Sequence, residues 1–216
     1  GKILQITFGI SLQQMLQSVI NYLKQAAQAG YDFAKSVYQL QIGINAIRRT
    51  GTDITFQDMT ENIAALKEKF GTFSTAELMK GSAALINLTR DFGFAKEEIF
   101  KLQDAVATLA TVNGRAMDDV QRTVALAISS GYTEGLQRLG VSINRVTIAL
   151  EAERLGFGRN YMSLTEQQRA QATYNILLAK TAVYMDDLAS YQKTAPGMVD
   201  KLTAAWKDFI ASSGAI

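Results

Sequence analysis

Apolar and small residues recur at alternating steps of four and three from Leu12 to Ile47, through Leu16, Val19, Leu23, Ala26, Gly30, Phe33, Val37, Leu40 and Ile44. That spacing draws one seam along a single long helix of about five heptads. Met15, Tyr22 and Ala29 widen it, so the helix can meet more than one neighbour. Gly30 is the only seam glycine and costs about 1 kcal/mol of helix stability relative to alanine. Such a seam serves either a core helix in a bundle or a coil that joins copies of the chain, and these eleven positions are the candidate self-association seam.

Further on, the pattern breaks into shorter amphipathic units. Arg48 and Arg49 suit the negative end of the long helix, with Gly51 as its left-handed cap. Thr55 and Asp58 then open a helix carrying Phe56, Met59, Ile63, Leu66 and Phe70, closed by Gly71. Ser74 with Glu77 is a capping box opening a helix to about Phe92, stopped by Gly93. The next runs from near Ala95 to Asn113-Gly114 and buries Ile99, Leu102, Val106 and Leu109; another runs from about Ala116 to Ser130 and stops at Gly131. Glycine stops about 21 residues apart and acidic-apolar pairs at Glu77-Leu78, Glu98-Ile99 and Asp119-Val120 suggest a weak repeat of turn plus helix, packed as antiparallel hairpins. Caps and first-turn acids common to any helical protein explain the same pattern.

A short helix follows between Gly131 and Gly140, then an extended Val141-Ser142-Ile143, a helix over 145–155 and a loop at 156–160. Ser163-Leu164-Thr165-Glu166 reads as a second capping box, opening a long helix from about Leu164 to Tyr191 with Tyr174, Leu177, Leu178, Val183, Met185 and Leu188 on its apolar side. Pro196-Gly197 is expected to break the chain before a last helix carrying Val199, Leu202, Trp206, Phe209 and Ile210. The predicted fold class is all-α: one long N-terminal heptad helix, a series of helical hairpins, and a second long helix near the C-terminus. The expected divisions are 1–51, a long coiled-coil-like helix; 52–140, a helical-repeat region; and 141–216, a C-terminal helical region.

Composition narrows the chemistry. The 216 residues are 48% hydrophobic, with 16 glycines, one proline, no cysteine and no histidine. Disulfides, thiolate metal sites and every Ser-His or Cys-His nucleophile pair are thereby excluded. A net charge of +2 gives no nucleic-acid signature, although residues 1–50 carry five cations against Asp32 alone. The paired acids Glu97-Glu98, Asp118-Asp119 and Asp186-Asp187 point about 100° apart on a helix, unsuited to opposed acid–base work; the first two pairs fit first-turn positions. Gly156-Phe157-Gly158 lacks the strand–glycine–helix setting of a phosphate cradle. Trp206, spaced with Leu202 and Ile210, reads as core or interface. No catalytic, metal or cofactor residues are assigned, and no enzyme activity is expected. Ile3 to Leu23 lacks charge and has the length of a membrane span. The amides Gln5, Gln13, Gln14, Gln17 and Asn21 favour packing against protein instead, and the stretch has no signal-peptide flanks. The start at Gly1 fits a fragment of something longer.

Residues 130–214 carry a resemblance. The segment Gly131-Tyr132-Thr133-Glu134-Gly135-Leu136-Gln137-Arg138-Leu139-Gly140-Val141 looks like the glycine-x-x-x-x-leucine-x-x-leucine-glycine-isoleucine segment of phage tail tape measure proteins. Leu164-Thr165-Glu166-Gln167-Gln168-Arg169-Ala170 resembles that family's next helix start. Gln171-Ala172-Thr173-Tyr174-Asn175-Ile176-Leu177-Leu178 resembles its alanine-x-x-tyrosine-x-x-leucine-leucine run, and Leu202 to Asp208 its tryptophan-x-aspartate close. The family's glycine-aspartate is replaced by Met185-Asp186-Asp187. Residues 56–130 resemble the helical repeats upstream. The resemblance implies a segment of a structural virion protein that sets tail length, templates tube assembly and leaves at DNA ejection. It implies residence in the tail tube lumen, and in the host cytoplasm during assembly. The implied partners are other copies, as a parallel homo-oligomer such as a trimer, the tail tube protein, tail tip or baseplate proteins and tail assembly chaperones. A host membrane during ejection is a further implied contact; no nucleic-acid sequence and no cofactor is. A soluble helical scaffold or adaptor and a membrane-active helical protein are the competing readings.

Overall fold

The computed structural model describes residues 2–184, 188 and 193–213, with the side chains of 2–16, 19, 88, 195, 196 and 213 left aside. It is all-helical, with no strand among the described residues. The first helix, α1, runs unbroken over Lys2–Arg48, 47 residues, or about 70 Å at 1.5 Å per residue. Then come α2 (Phe56–Phe70), α3 (Thr75–Thr89), α4 (Lys96–Val112), α5 (Met117–Ser130), α6 (Glu134–Gln137), α7 (Arg145–Arg154), α8 (Glu166–Ala182) and α9 (Ala195–Ser213).

Local chemistry accounts for most boundaries. The Thr55 hydroxyl accepts from the Asp58 N–H, and the Asp58 carboxylate accepts from the Thr55 N–H at 2.8 Å, so two of the orphan amides at the start of α2 are answered reciprocally. Ser74 and Glu77 do the same for α3. At α4 the cap residue is an alanine, and only the return bond exists, Ala95 N–H to Glu98 at 2.9 Å. Glu97, Glu98, Asp118 and Asp119 occupy the first turns of α4 and α5. Gly71, Gly93, Gly114 and Gly131 all have positive φ, where a side chain would be strained.

Several boundaries differ from expectation. The α-helical part of α3 ends at Thr89, and a 3-10 turn over Arg90–Phe92 tightens the chain before Gly93. The cap of α8 is Thr165 with Gln168, not Ser163, which lies in a 3-10 turn over Tyr161–Ser163. That turn forms because Asn160 accepts from the Met162 N–H. The α8 helix ends at Ala182 and not near Tyr191; Val183 and Tyr184 form a turn. Val183 is exposed, whereas Leu188 is buried; Met185 lies outside the described residues. Pro196-Gly197 does not break the chain ahead of the last helix but sits in its first turn, where a missing proline N–H costs nothing. The Thr194 hydroxyl accepts from the Gly197 N–H there.

One contiguous group of buried side chains runs from Leu40 to Leu188 and joins the C-terminal part of α1 with α2 to α8 in one core; the buried side chains of α9, Ala204, Ile210 and Ala211, lie outside that group. Packing is closest between partners distant in sequence. The main neighbours of α3 are α1 and α5 rather than α2 and α4. Gly81 explains the α3–α5 approach: a Cβ there would lie 2.0 Å from Gln121 Oε1. Gln121 is fully buried in that contact, and neither end of its amide has a hydrogen-bond partner.

Candidate self-association surface

The α1 seam divides along its length. At its C-terminal end Leu40, Ile44 and Ile47 are buried, and Phe33 and Val37 are half-buried against the same core. Their cover is α3. Ser36 Oγ lies 3.8 Å from Met79 Sδ, and a Cβ on Gly43 would be in ordinary contact with Ile86 and Asn87. Ala26 and Gly30 are buried as well, where α9 lies against α1. Leu23, by contrast, is 59% exposed. Leu12, Leu16 and Val19 belong to side chains outside the description. Described side chains from Gln17 to Gln25 are exposed except for Tyr22, whose ring lies 6.5 Å from that of Trp206. The fold therefore takes Ala26 to Ile47 into the interior and leaves Leu23 in solvent.

Two apolar faces emerge that the seam does not include. One is the outward side of α1, where Ile20, Tyr31, Tyr38 and Ile42 are exposed with Ala27 and Ala34 between them. A four-three-four-four spacing from Ala27 to Ile42 was the available signal, masked by the stronger aliphatic seam. The other is on α9. Met198, Val199, Leu202, Trp206 and Phe209 are all exposed, Leu202 by 71% and Trp206 by 54%. Val199, Leu202, Trp206 and Phe209 thus lie outside the core, and of the apolar residues expected on that helix Ile210 is buried.

Charged groups fasten α9 to the start of α3. Asp208 accepts from the Thr75 N–H at 2.9 Å and pairs with Lys67. It supplies an anion from a distant element to the positive end of α3. Lys207 pairs with Glu77 at 2.7 Å. Burial pushes the Glu77 carboxyl up, but the Lys207 ammonium and the Ser74 cap outweigh it, so its pKa is lowered. Beside these pairs α1, α3 and α9 leave a groove of about 440 Å³, lined by Asp32, Lys35, Lys80 and Ala211 among others. Its acids and bases are balanced, and much of its charge is already engaged in pairs.

Elsewhere the shifted groups have structural causes. Asp58 is held at about 2 by hydrogen bonds from Thr55 and then from Lys96. Tyr174 is pushed up to about 12 by burial and then by Glu98, with its ring 5.2 Å from that of Phe94. Among the described residues no group of three or more acids is placed to hold a metal ion, and no helix is long and apolar enough to cross a membrane. The features that stand out are contact surfaces, those of an all-helical protein with exposed apolar faces. No family model, no curated protein and no solved structure matches the chain.

Proposed function

We propose that the chain is a structural segment of a phage tail tape measure protein, acting as part of a ruler and not as an enzyme. The observation that carries this reading is the unbroken 47-residue α1, because a continuous helix converts residue count into length at a fixed 1.5 Å per residue. The motif order over residues 131–208 supports it. In this role the long helix leads a set of helical hairpins and a second helical region. Parallel copies meet along the exposed part of α1, and tail tube, tip and chaperone proteins are the other partners. The site of action is the tail lumen, after assembly in the host cytoplasm; a membrane contact at ejection belongs to the same reading.

The test is deletion of two heptads, residues 3–16, from the parent gene, with tail length measured by electron microscopy. Shortening by about 21 Å is expected; tails of unchanged length would overturn the proposal. A second reading, a helical scaffold that binds one protein partner, is favoured by the burial of Leu40, Ile44 and Ile47 inside the monomer. A chain that stays monomeric at all concentrations would select it.

A further inference from the structure

The helix α9 is turned with its small residues inward. Gly197, Ala204 and Ala211 are buried and, seven residues apart, lie on one side of the helix. At about 100° per residue, Met198, Val199, Leu202, Trp206 and Phe209 occupy an arc on the opposite side, in solvent. A helix that only closed a bundle would point its large apolar side chains at the core. Here glycine and alanine permit close approach to the bundle. Among the described residues of α9, Ile210 is the one large apolar side chain that is buried, while Met198, Val199, Leu202, Trp206 and Phe209 are left outside.

We infer that this face docks on the same face of a second copy of the chain, with the two α9 helices antiparallel. The pattern is self-complementary about a two-fold axis near residue 204. Turning one α9 about that point sets Leu202 opposite the partner copy's tryptophan and Val199 opposite its phenylalanine, a smaller side chain against a larger ring at each step. A two-fold contact requires that reciprocity. The flanks agree, because Thr203, Ala205, Ile210 and Ser212 border the arc, and the like charges that the turn brings level, Lys201 with Lys207 and Asp200 with Asp208, lie beyond it. The exposed parts of the five side chains amount to roughly 500 Å². Complete cover of that area on both copies would come to about 1,000 Å², the value a specific interface has to clear. This dimer does not use the α1 seam and, being antiparallel, is a different association from the parallel one proposed for the ruler.

Trp206 is the single tryptophan, so its fluorescence reports this face and the Tyr22 ring beside it. In the full 216-residue chain its emission should move to the blue as concentration rises, in step with a monomer–dimer transition in sedimentation velocity. The double variant Val199→Ser, Leu202→Ser changes two exposed positions, so helix content should be kept while association weakens about a hundredfold. Val146→Ser, an exposed apolar residue on α7, should leave the dimer intact. A monomer at every concentration would overturn the inference, as would a dimer indifferent to the double variant. A blue shift that appears only with added phosphatidylcholine–phosphatidylglycerol vesicles would overturn it in favour of a lipid surface.

Discussion

Ile44 and Ile42 sit two residues apart on α1, yet Ile44 is 1% exposed and Ile42 48%. Replacing each by alanine separates an internal core from a surface between copies. At Ile44 the change deletes buried methyl and methylene groups from a contact with α3 that α1 and α3, both regular helices, close only partly. The expected loss is about 3 kcal/mol, within the range for isoleucine to alanine in a packed core. For a chain of this size each kcal/mol moves the midpoint by about 2–4 °C, so Ile44→Ala should melt about 6–12 °C below the parent. Ile42→Ala removes half-solvated atoms and should shift the midpoint by less than about 2 °C. Thermal unfolding followed by circular dichroism, at several protein concentrations, is the assay. The reasoning also requires the Ile44→Ala loss to be independent of concentration, because the contact is within one chain. If Ile44→Ala left the midpoint unchanged but reduced the oligomer, or if the two variants lost equal stability, the division of the seam would be wrong.

Three more outcomes are expected. Asp208→Ala removes the acceptor at the Thr75 N–H and the Lys67 pair, a half-exposed site where about 1–2 kcal/mol is at stake. Hydrogen exchange should quicken at Thr75 and along α9 while α5 stays protected, and uniform quickening would count against a local fastening. Gln121→Met keeps the volume and removes an unpartnered buried amide, so it should stabilise by about 1–2 kcal/mol in urea titration; a loss of stability would mean that the amide has a partner such as a buried water. Asp58 has a folded pKa of about 2 against an ordinary value of about 4. The stability it contributes is therefore complete above about pH 4 and disappears as the pH falls toward about 2. The advantage of the parent chain over Asp58→Asn in melting temperature should fade over that window, and an advantage that persisted at pH 2 would refute the assignment.

Much of the helix layout could be read from local pattern because its causes are local. A capping box needs only the contact between Thr55 and Asp58 or Ser74 and Glu77, three residues apart, and a left-handed cap needs only a glycine such as Gly71. The misplacements have the same origin. Ser163 and Thr165 both present a hydroxyl to a following acid or amide, and the competing Asn160 turn decided for Thr165. Pro196-Gly197 reads as a stop in isolation, but Thr194 ahead of it makes the pair a helix start. Gln121 carried no sign of burial, since only the approach of α5 to Gly81 encloses it. Asp208 likewise gave no hint that it would cap a helix 133 residues away.

The sequence by itself determined that α1 is one long helix and that it bears a continuous apolar seam, because periodicity is a property of the helix alone. Tertiary structure decided how far along that seam the interior extends, covering Leu40 to Ile47 with α3 and leaving Leu23 in water. It also decided the rotation of α9 about its axis. Periodicity marks a stripe of large apolar residues and a stripe of small ones without saying which faces inward. Here close approach along Gly197, Ala204 and Ala211, with Asp208 held at the start of α3, placed the small stripe against the bundle and turned Trp206 outward.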